Sequence, residues 1–497
     1  MPDAPAPPAY AATADSPVAQ LEPRAVWRHF AALNRVPRAS KEEERVIAFA
    51  RRFGESLGLD TRVDAVGNVV VRKPATPGRE DRPTVLLQAH LDMVHQQNAG
   101  TGHDFAREGI RMRVDGDWVH AEGTTLGADN GLGVALAMAV LADAGTLAHP
   151  PLEVLFTVDE ETGMTGAKGL EPGTLTARYM LNLDTEDDRE LTIGCAGGVD
   201  VTARGRYTQE PAPADYQAVR LTVSGLSGGH SGMQIHEGLG NANKLLARLL
   251  LAAEEAGAAP RLARFDGGGL RNAIPREAYA ELLVSDAEAL RAALASAKTA
   301  IAAEYATTDP ELHIAVEEAP SRPEQVFAAA DQARLLHALQ ACPNGIYRMS
   351  PDVPGLVQTS NNLARVLAAD GAYEALCLTR SSVDSEKWDQ VGAIRAVFAL
   401  AGAAVTTSGD YPGWTPRPDS RLLTVMRDLY RERFGEEPLV EACHAGLECG
   451  LIGEKVPGME MISFGPNIRG AHGPDERAQI SSVQKVWGYL TEALARL

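Results

Sequence analysis

Cysteine is scarce in this sequence, with five in 497 residues, at positions 195, 342, 377, 443 and 449. The number is odd and no pair has CxxC spacing, which fits reduced thiols in a cytosol better than a disulfide framework or a zinc ribbon. No apolar run is long enough to span a membrane. The first residues, MPDAPAPPAYAATADSPVAQ, lack a basic n-region and an apolar h-region, so they are not a secretory signal. Rich in Pro and Ala, residues 1–20 are expected to form a disordered tail. Basic runs are also missing, and the formal net charge is −19. That argues against nucleic acid and against an anionic membrane as partners. A phosphate loop is absent as well: GADNGLG (127–133) matches neither GxGxxG nor a Walker loop, which removes a nucleotide-binding α/β protein from consideration. A soluble, cytoplasmic protein is expected.

What is present is an ordinary globular composition, 45% apolar and 23% charged, on a chain longer than one usual domain. Helical periodicity with charged faces covers about 24–36 and 41–57, and GLGVALAMAVLA (131–142) predicts a helix buried on most faces. Between the helices lie short apolar runs that read as strands: Val85–Leu87, Leu152–Val158, Tyr179–Leu183 and, near the end, Glu460–Phe464, followed by a helix from about Ser481. The alternation implies an α/β sheet, mostly parallel, with helices on both faces. From about 200 to 405 the pattern changes to an α+β one, with strands at Ala218–Val223 and Ala278–Val284 and helices at 242–256 and 287–305. This predicts a discontinuous first domain, 21–199 with 406–497, interrupted by an inserted domain at 200–405, with SGDYPGWTPRP (408–418) as the return linker.

Four of the predicted element ends carry chemistry. TVLLQAHLD (84–92) ends in His90 and Asp92. LEVLFTV runs into Asp159, Glu160 and Glu161, and YMLNL into Asp184. EMISF leads through GPNIRGAH to His472, and TTLGADNG places Asp129 just before the buried helix. The carboxyl ends of strands form the ligand crevice of an open α/β sheet. So many carboxylates there repel one another unless a cation binds them. Alone, an HxD pair is an ordinary histidine, an EE pair a solvated loop and an Asp after a strand a helix cap; together these residues form a metal-ligand set. Two histidines with Asp and Glu suit zinc, or manganese or cobalt in the same geometry. His90, Asp129, Glu161, Asp184 and His472 suffice for two divalent ions if Asp129 bridges them, each ion keeping an open position. Glu160 is then free to act as general base and acid, and Asp92 to hold the other N–H of His90. His95, His103, His120, His149 and His313 have no supporting neighbours and are treated as ordinary.

These residues resemble a known family. HLD (90–92), GADNG (127–131), DEETG (159–163), NLDTED (182–187), GGHSG (228–232) and GPNIRGAH (465–472) are similar to motifs of the di-zinc metallopeptidases that include carnosinase and peptidase T. IGCAGG (193–198), GGHSGMQIHEGLGNANKLL (228–246), LTRSSVDSE (378–386) and CHAGLECGLI (443–452) look like its aminoacyl-histidine dipeptidase branch. The resemblance implies a catalytic domain with two metal ions and a lid domain that dimerises. It implies hydrolysis of unblocked dipeptides, Xaa-His among them, with no nucleic-acid or membrane partner. It also implies that His230 stabilises the tetrahedral oxyanion, in its own or a partner's site. Arg380 suits a substrate carboxylate by its planar fork, and Asn272 and His444 are further candidates for substrate contact. One alternative on the same site is a deacylase of N-acyl amino acids. Another is a binding protein that uses metal without chemistry, against which Glu160 argues.

Overall fold

The computed structural model of the protein describes residues 15–497, and the chain divides into two compact units. The first comprises the chain up to Gly194 with Pro416–Ala442 and Leu447–Leu497; the second comprises Cys195–Thr415 with Cys443–Gly446. Of the expected tail, residues 1–14 lie outside the described residues. Val18–Gln20 are not disordered but form a turn of 3-10 helix, because Val18 and Ala19 are buried against the helix Arg24–Leu33.

The first unit is built on an eight-stranded mixed sheet. Its order is Asp60–Val63, Val69–Lys73, Leu152–Thr157, Val85–His90, Tyr179–Asn182, Glu460–Ser463, Glu190–Cys195, Leu439–Cys443. Parallel pairing joins the central four strands, with antiparallel pairing of Val69–Lys73 to Asp60–Val63 and to Leu152–Thr157 on one side and of Glu460–Ser463 to Glu190–Cys195 on the other. The central strands read as unbroken apolar runs because both faces are covered: every residue of Val85–His90, Leu152–Thr157 and Tyr179–Asn182 is buried. The helix Ala128–Ala142 is buried on almost every face, as GLGVALAMAVLA predicts. Helix Glu44–Ser56 is amphipathic and buries Val46, Phe49, Ala50 and Phe53. Among the described residues no helix is long and apolar enough to cross a membrane.

Register places the chemistry. Val85 pairs with Leu152 and with Tyr179, and Glu460 with Tyr179, so the central strands start level and their carboxyl ends fall side by side. His90 lies opposite Thr157, and Gln88 opposite Asn182. The Asp159–Glu161 and Asp184 loops therefore open beside His90. His472 comes from an element the sequence reading missed, a four-stranded sheet ordered Ile468–Arg469, Arg477–Gln479, Trp118–Ala121, Met112–Asp115. His472 sits on the loop joining its first two strands.

The second unit holds a nine-stranded sheet in which every pair of neighbouring strands is antiparallel. Burial alternates along Gln217–Ser224, the signature of a sheet with one covered face. Helices Ala242–Glu255, Ala287–Glu304, Ala329–Ala341 and Asp384–Leu400 contribute to the core on it. Asn241 and Asp286 cap the first two, each accepting two backbone N–H groups. The sequence reading missed the long hairpin Val357–Ala369/Ala372–Ser381, turned by Asp370-Gly371 with both residues at positive φ.

Two expected boundaries shift. Strand Gly197–Arg206 pairs with Ala372–Ser381 and with Ala404–Tyr411, so residues from 195 onward join the second unit. Ser408–Tyr411, read as linker, is the end of that ladder. Residues 443–446 join the second unit too, because Cys443 and Ala445 carbonyls accept the Ala196 N–H.

One stability consequence is local to the buried helix. Half-buried Lys73 donates to the carbonyls of Val140, Leu141 and Asp143, capping the C-terminus of Ala128–Ala142. Lys73→Met removes this donor from the three carbonyls, of which Val140 keeps the Asp143 N–H, and is expected to cost about 1–3 kcal/mol, read as a lower urea midpoint at unchanged slope.

Candidate metal centre

The five predicted ligands converge within the first unit. His90 Nε2 lies 3.1 Å from Asp129 Oδ1 and 3.5 Å from Asp184 Oδ1. His472 Nε2 lies 3.0 Å from Asp129 Oδ2 and 3.0 Å from Glu161 Oε2. Asp129 thus presents one oxygen to each imidazole. One donor atom from each of His90, Asp129 and Asp184 can be chosen with all three within 4.8 Å of one another, and the same holds for Asp129, Glu161 and His472.

The residues fit metal ions on their own chemistry. Glu161 Oε1 is buried without a hydrogen-bond partner, a need that a cation beside Asp129 and His472 would meet. Hydrogen bonds to Asp129 and Glu161 hold the His472 imidazole up, to about 11. Burial raises Glu161 and Asp184, and Asp184 accepts from the Asn130 amide. Without a cation the site thus satisfies its carboxylates with protons on imidazoles; a divalent ion replaces those protons.

Glu160 adjoins the ligands, within the same reach of His90 and Glu161. Burial pushes its carboxyl well above the ordinary range, His90 opposes this, and Asp184, Glu448 and Glu161 add to it. Asp92 is fully buried, with Oδ1 3.3 Å from His90 Nδ1. Its oxygens also accept from Ser40 Oγ and from the Glu160 and Glu161 N–H groups, so it fixes both the imidazole and the turn carrying the two glutamates. Burial works to raise Asp92, but these bonds and the imidazole charge outweigh it and bring it to about 2.

Several supporting residues escaped the sequence reading. Arg38, buried, donates to the carbonyls of Leu91, Asp92 and Gly127 and so ties the His90 and Asp129 loops together. Glu448 accepts from Gln88 and Thr157 beneath the strand ends, with burial pushing its carboxyl up to about 7. Glu476 accepts backbone N–H groups of 126–129. Glu448 stands inside the quoted CHAGLECGLI string, whereas nothing local to Arg38 or Glu476 signals a role. Glu43, Asp92 and Asp159 form another carboxylate trio, but its members are occupied: Glu43 accepts the Asp159 N–H, and Asp159 accepts from Thr162 and Thr165.

His230, Arg380, His444 and Asn272 belong to the second unit. His230 Nδ1 accepts the Gly232 and Met233 N–H groups, which places its proton on Nε2. A Cβ on Gly232 would lie 2.4 Å from the His444 carbonyl oxygen, 3.0 Å from His230 Cε1 and 3.2 Å from Arg380 Nε, so three of the four pack around one glycine. Arg380 donates to the Tyr411 hydroxyl at 3.1 Å and keeps Nε without a partner. His444 Nε2 lies 2.7 Å from Ser360 Oγ, and burial, then the Arg380 charge, lowers it to about 3. Asn272 is exposed, and its carbonyl accepts the Ser231 N–H beside His230. Tyr411 and Ser360 were not anticipated.

Elemental analysis of zinc-loaded protein tests the shared carboxylate. Asp129→Ala is expected to lose both ions, whereas His472→Ala keeps the ion on the His90 side. Equal retention in the two variants would contradict the bridging geometry.

Comparison with known proteins places this arrangement. The model of peptidase family M20/M25/M40 matches residues 86–496. The chain is 42% identical over 485 residues to the cytosol non-specific dipeptidase of Escherichia coli, covering 97% of this chain and 99% of that protein. The crystal structure of aminoacylhistidine dipeptidase from Vibrio alginolyticus superposes with a TM-score of 0.93 at 43% identity, covering 98% and 99% of the two chains. Aminopeptidase PepT from Bacillus cereus shares the fold, with a TM-score of 0.56 at 16% identity over 96% and 98% of the chains. The chain belongs to peptidase family M20/M25/M40.

Proposed function

We propose that the protein is a dinuclear-metal dipeptidase that hydrolyses the peptide bond of unblocked dipeptides, Xaa-His dipeptides among them. The observation that carries the reading is Asp129 with one oxygen on each imidazole, 3.1 and 3.0 Å away, and Glu160 beside it. The names of the E. coli and Vibrio relatives support the substrate class.

His90, Asp129 and Asp184 would hold one ion, and Asp129, Glu161 and His472 the other. Zinc suits this donor set, and manganese or cobalt can take it. Such ions supply Lewis acidity for the scissile carbonyl and make water a nucleophile at neutral pH. Glu160 takes the proton of the attacking water and returns it to the leaving nitrogen. Asp92 keeps His90 in the tautomer whose Nε2 faces the metal site. The Nε2–H of His230 would donate to the tetrahedral oxyanion in its own or a partner's active site. Arg380, its Nε free, receives the substrate carboxylate, flanked by Asn272 and His444. We place the enzyme in the cytoplasm, in keeping with its reduced thiols.

We also propose a homodimer through the second unit. Among the described residues, strand Gly345–Met349 pairs with Val357–Ala369 alone and exposes Ile346, Tyr347 and Met349, with Trp388 exposed on the helix Asp384–Leu400 that bonds to it through Tyr347–Asp389 and Arg348–Glu386. Light scattering is expected to give a dimer for the native chain and a monomer for Ile346→Asp/Met349→Asp; a native monomer contradicts the interface.

Steady-state kinetics on dipeptides and N-acetyl amino acids, with metal-loaded and chelated enzyme, tests the activity. Metal-dependent cleavage of dipeptides with acetylated substrates untouched is expected; cleavage of acylated substrates alone moves the protein to the deacylases. Glu160→Gln is expected to lower kcat on the order of 10²–10⁴-fold with its metal retained. Arg380→Met is expected to raise KM by roughly 10–100-fold with the smaller effect on kcat.

A further inference from the structure

We infer that Glu476 is a positioning residue for the metal centre: its carboxylate sets the backbone that carries Asp129 and locks it to the loop that carries His472. This rests on the metal-site reading above and goes beyond it, since Glu476 is not a ligand.

Glu476 is buried, at 2% exposure, and accepts four consecutive backbone N–H groups. Oε2 takes those of Leu126 and Gly127 at 2.7 and 2.9 Å, and Oε1 takes those of Ala128 and Asp129 at 2.7 and 3.2 Å. These groups open the helix Ala128–Ala142, whose first N–H groups have no partner within the helix. A helix start ordinarily draws a carboxylate from its own first turn. Asp129 is the acidic residue there, but its two oxygens face His90 and His472. Glu476 supplies the acceptor that Asp129 cannot, and so leaves the Asp129 carboxylate free for metal.

The same contact fixes the second ligand. Residues 470–476 connect strands Ile468–Arg469 and Arg477–Gln479. Within that loop Gly473 N–H donates to Gly470 and Glu476 N–H to Gly473, two consecutive turns with His472 between their ends. His472 is thereby held four residues from an anchor that grips the Asp129 backbone. On the opposite side Arg38 donates to the Gly127 carbonyl at 2.6 Å. Gly127 has φ of +68°, and a Cβ there would lie 2.4 Å from the Arg38 guanidinium. The segment is clamped through its N–H groups by Glu476 and through its carbonyl by Arg38, with no room for a side chain at the turn.

Cobalt(II) titration of the purified apoprotein against a competing chelator, followed by the visible d–d spectrum, tests the proposal. Glu476→Gln presents an amide that cannot accept on one side, so two of the four N–H groups lose their acceptor. It is expected to bind cobalt about 10–100-fold more weakly, with altered d–d bands. Glu476→Asp keeps the charge on a shorter arm and is expected to lie between Gln and native; should the Gln variant not fold, Glu476→Asp alone decides. Lys73→Met, destabilised at the far end of the same helix, is expected to keep the native spectrum and affinity. Native cobalt binding in both Glu476 variants overturns the proposal and leaves the metal site standing. So does an equal loss in Lys73→Met, which would make the effect one of stability alone. A native protein that binds no cobalt overturns the metal-site reading itself.

Discussion

Asp92, Asp129, Glu160, Glu161 and Asp184 crowd one buried volume, and their mutual repulsion is the constraint to which the surrounding structure answers. Carboxylates held a few ångströms apart in a low dielectric stay charged only when each finds a hydrogen bond, a proton or a cation. Asp92 is answered by Ser40 and two backbone N–H groups, Asp184 by the Asn130 amide, and Glu161 keeps a buried oxygen unanswered. The two imidazoles occupy the cation's place electrostatically, which is why His472 is held so basic.

The sheet makes this concentration possible by register. Parallel pairing brings like ends together, so strands that start level deliver His90, the Asp159–Glu161 turn and Asp184 to one edge. The loops are then immobilised by buried polar side chains rather than by apolar packing. Arg38 and Glu476 work as an opposed pair on Gly127, and Glu448 secures the underside through Gln88 and Thr157. Rigid elements hold the ligands in geometry before metal arrives, which reduces the cost of binding it.

Much of the fold was legible. The central strands are apolar runs because helices and neighbouring strands cover both faces, and their boundaries fall within a residue or two of the expected ones, apart from the longer Val85–His90. The second unit was harder. Its strands alternate instead of running apolar, and the pairing of Gly197–Arg206 with Ala404–Tyr411 joins residues some two hundred positions apart. Nothing local marks Ser408–Tyr411 as a strand rather than a linker, since Gly and Tyr in a Pro-bearing stretch suit either. The Asp370-Gly371 turn did carry a hairpin signal of its own, and the reading passed over it.

At the site, residue type and position at element ends by themselves singled out the candidate ligands, because metal chemistry demands imidazole and carboxylate and the carboxyl ends of α/β strands form the ligand crevice. Only the tertiary structure decided which side chains hold those ligands still. Arg38 and Glu476 look like ordinary charged residues in sequence, and their roles come from contacts with backbone atoms 53 to 350 residues distant. A hydrogen bond to a backbone N–H or carbonyl asks nothing of the partner's side chain, so it leaves no trace in the partner's sequence.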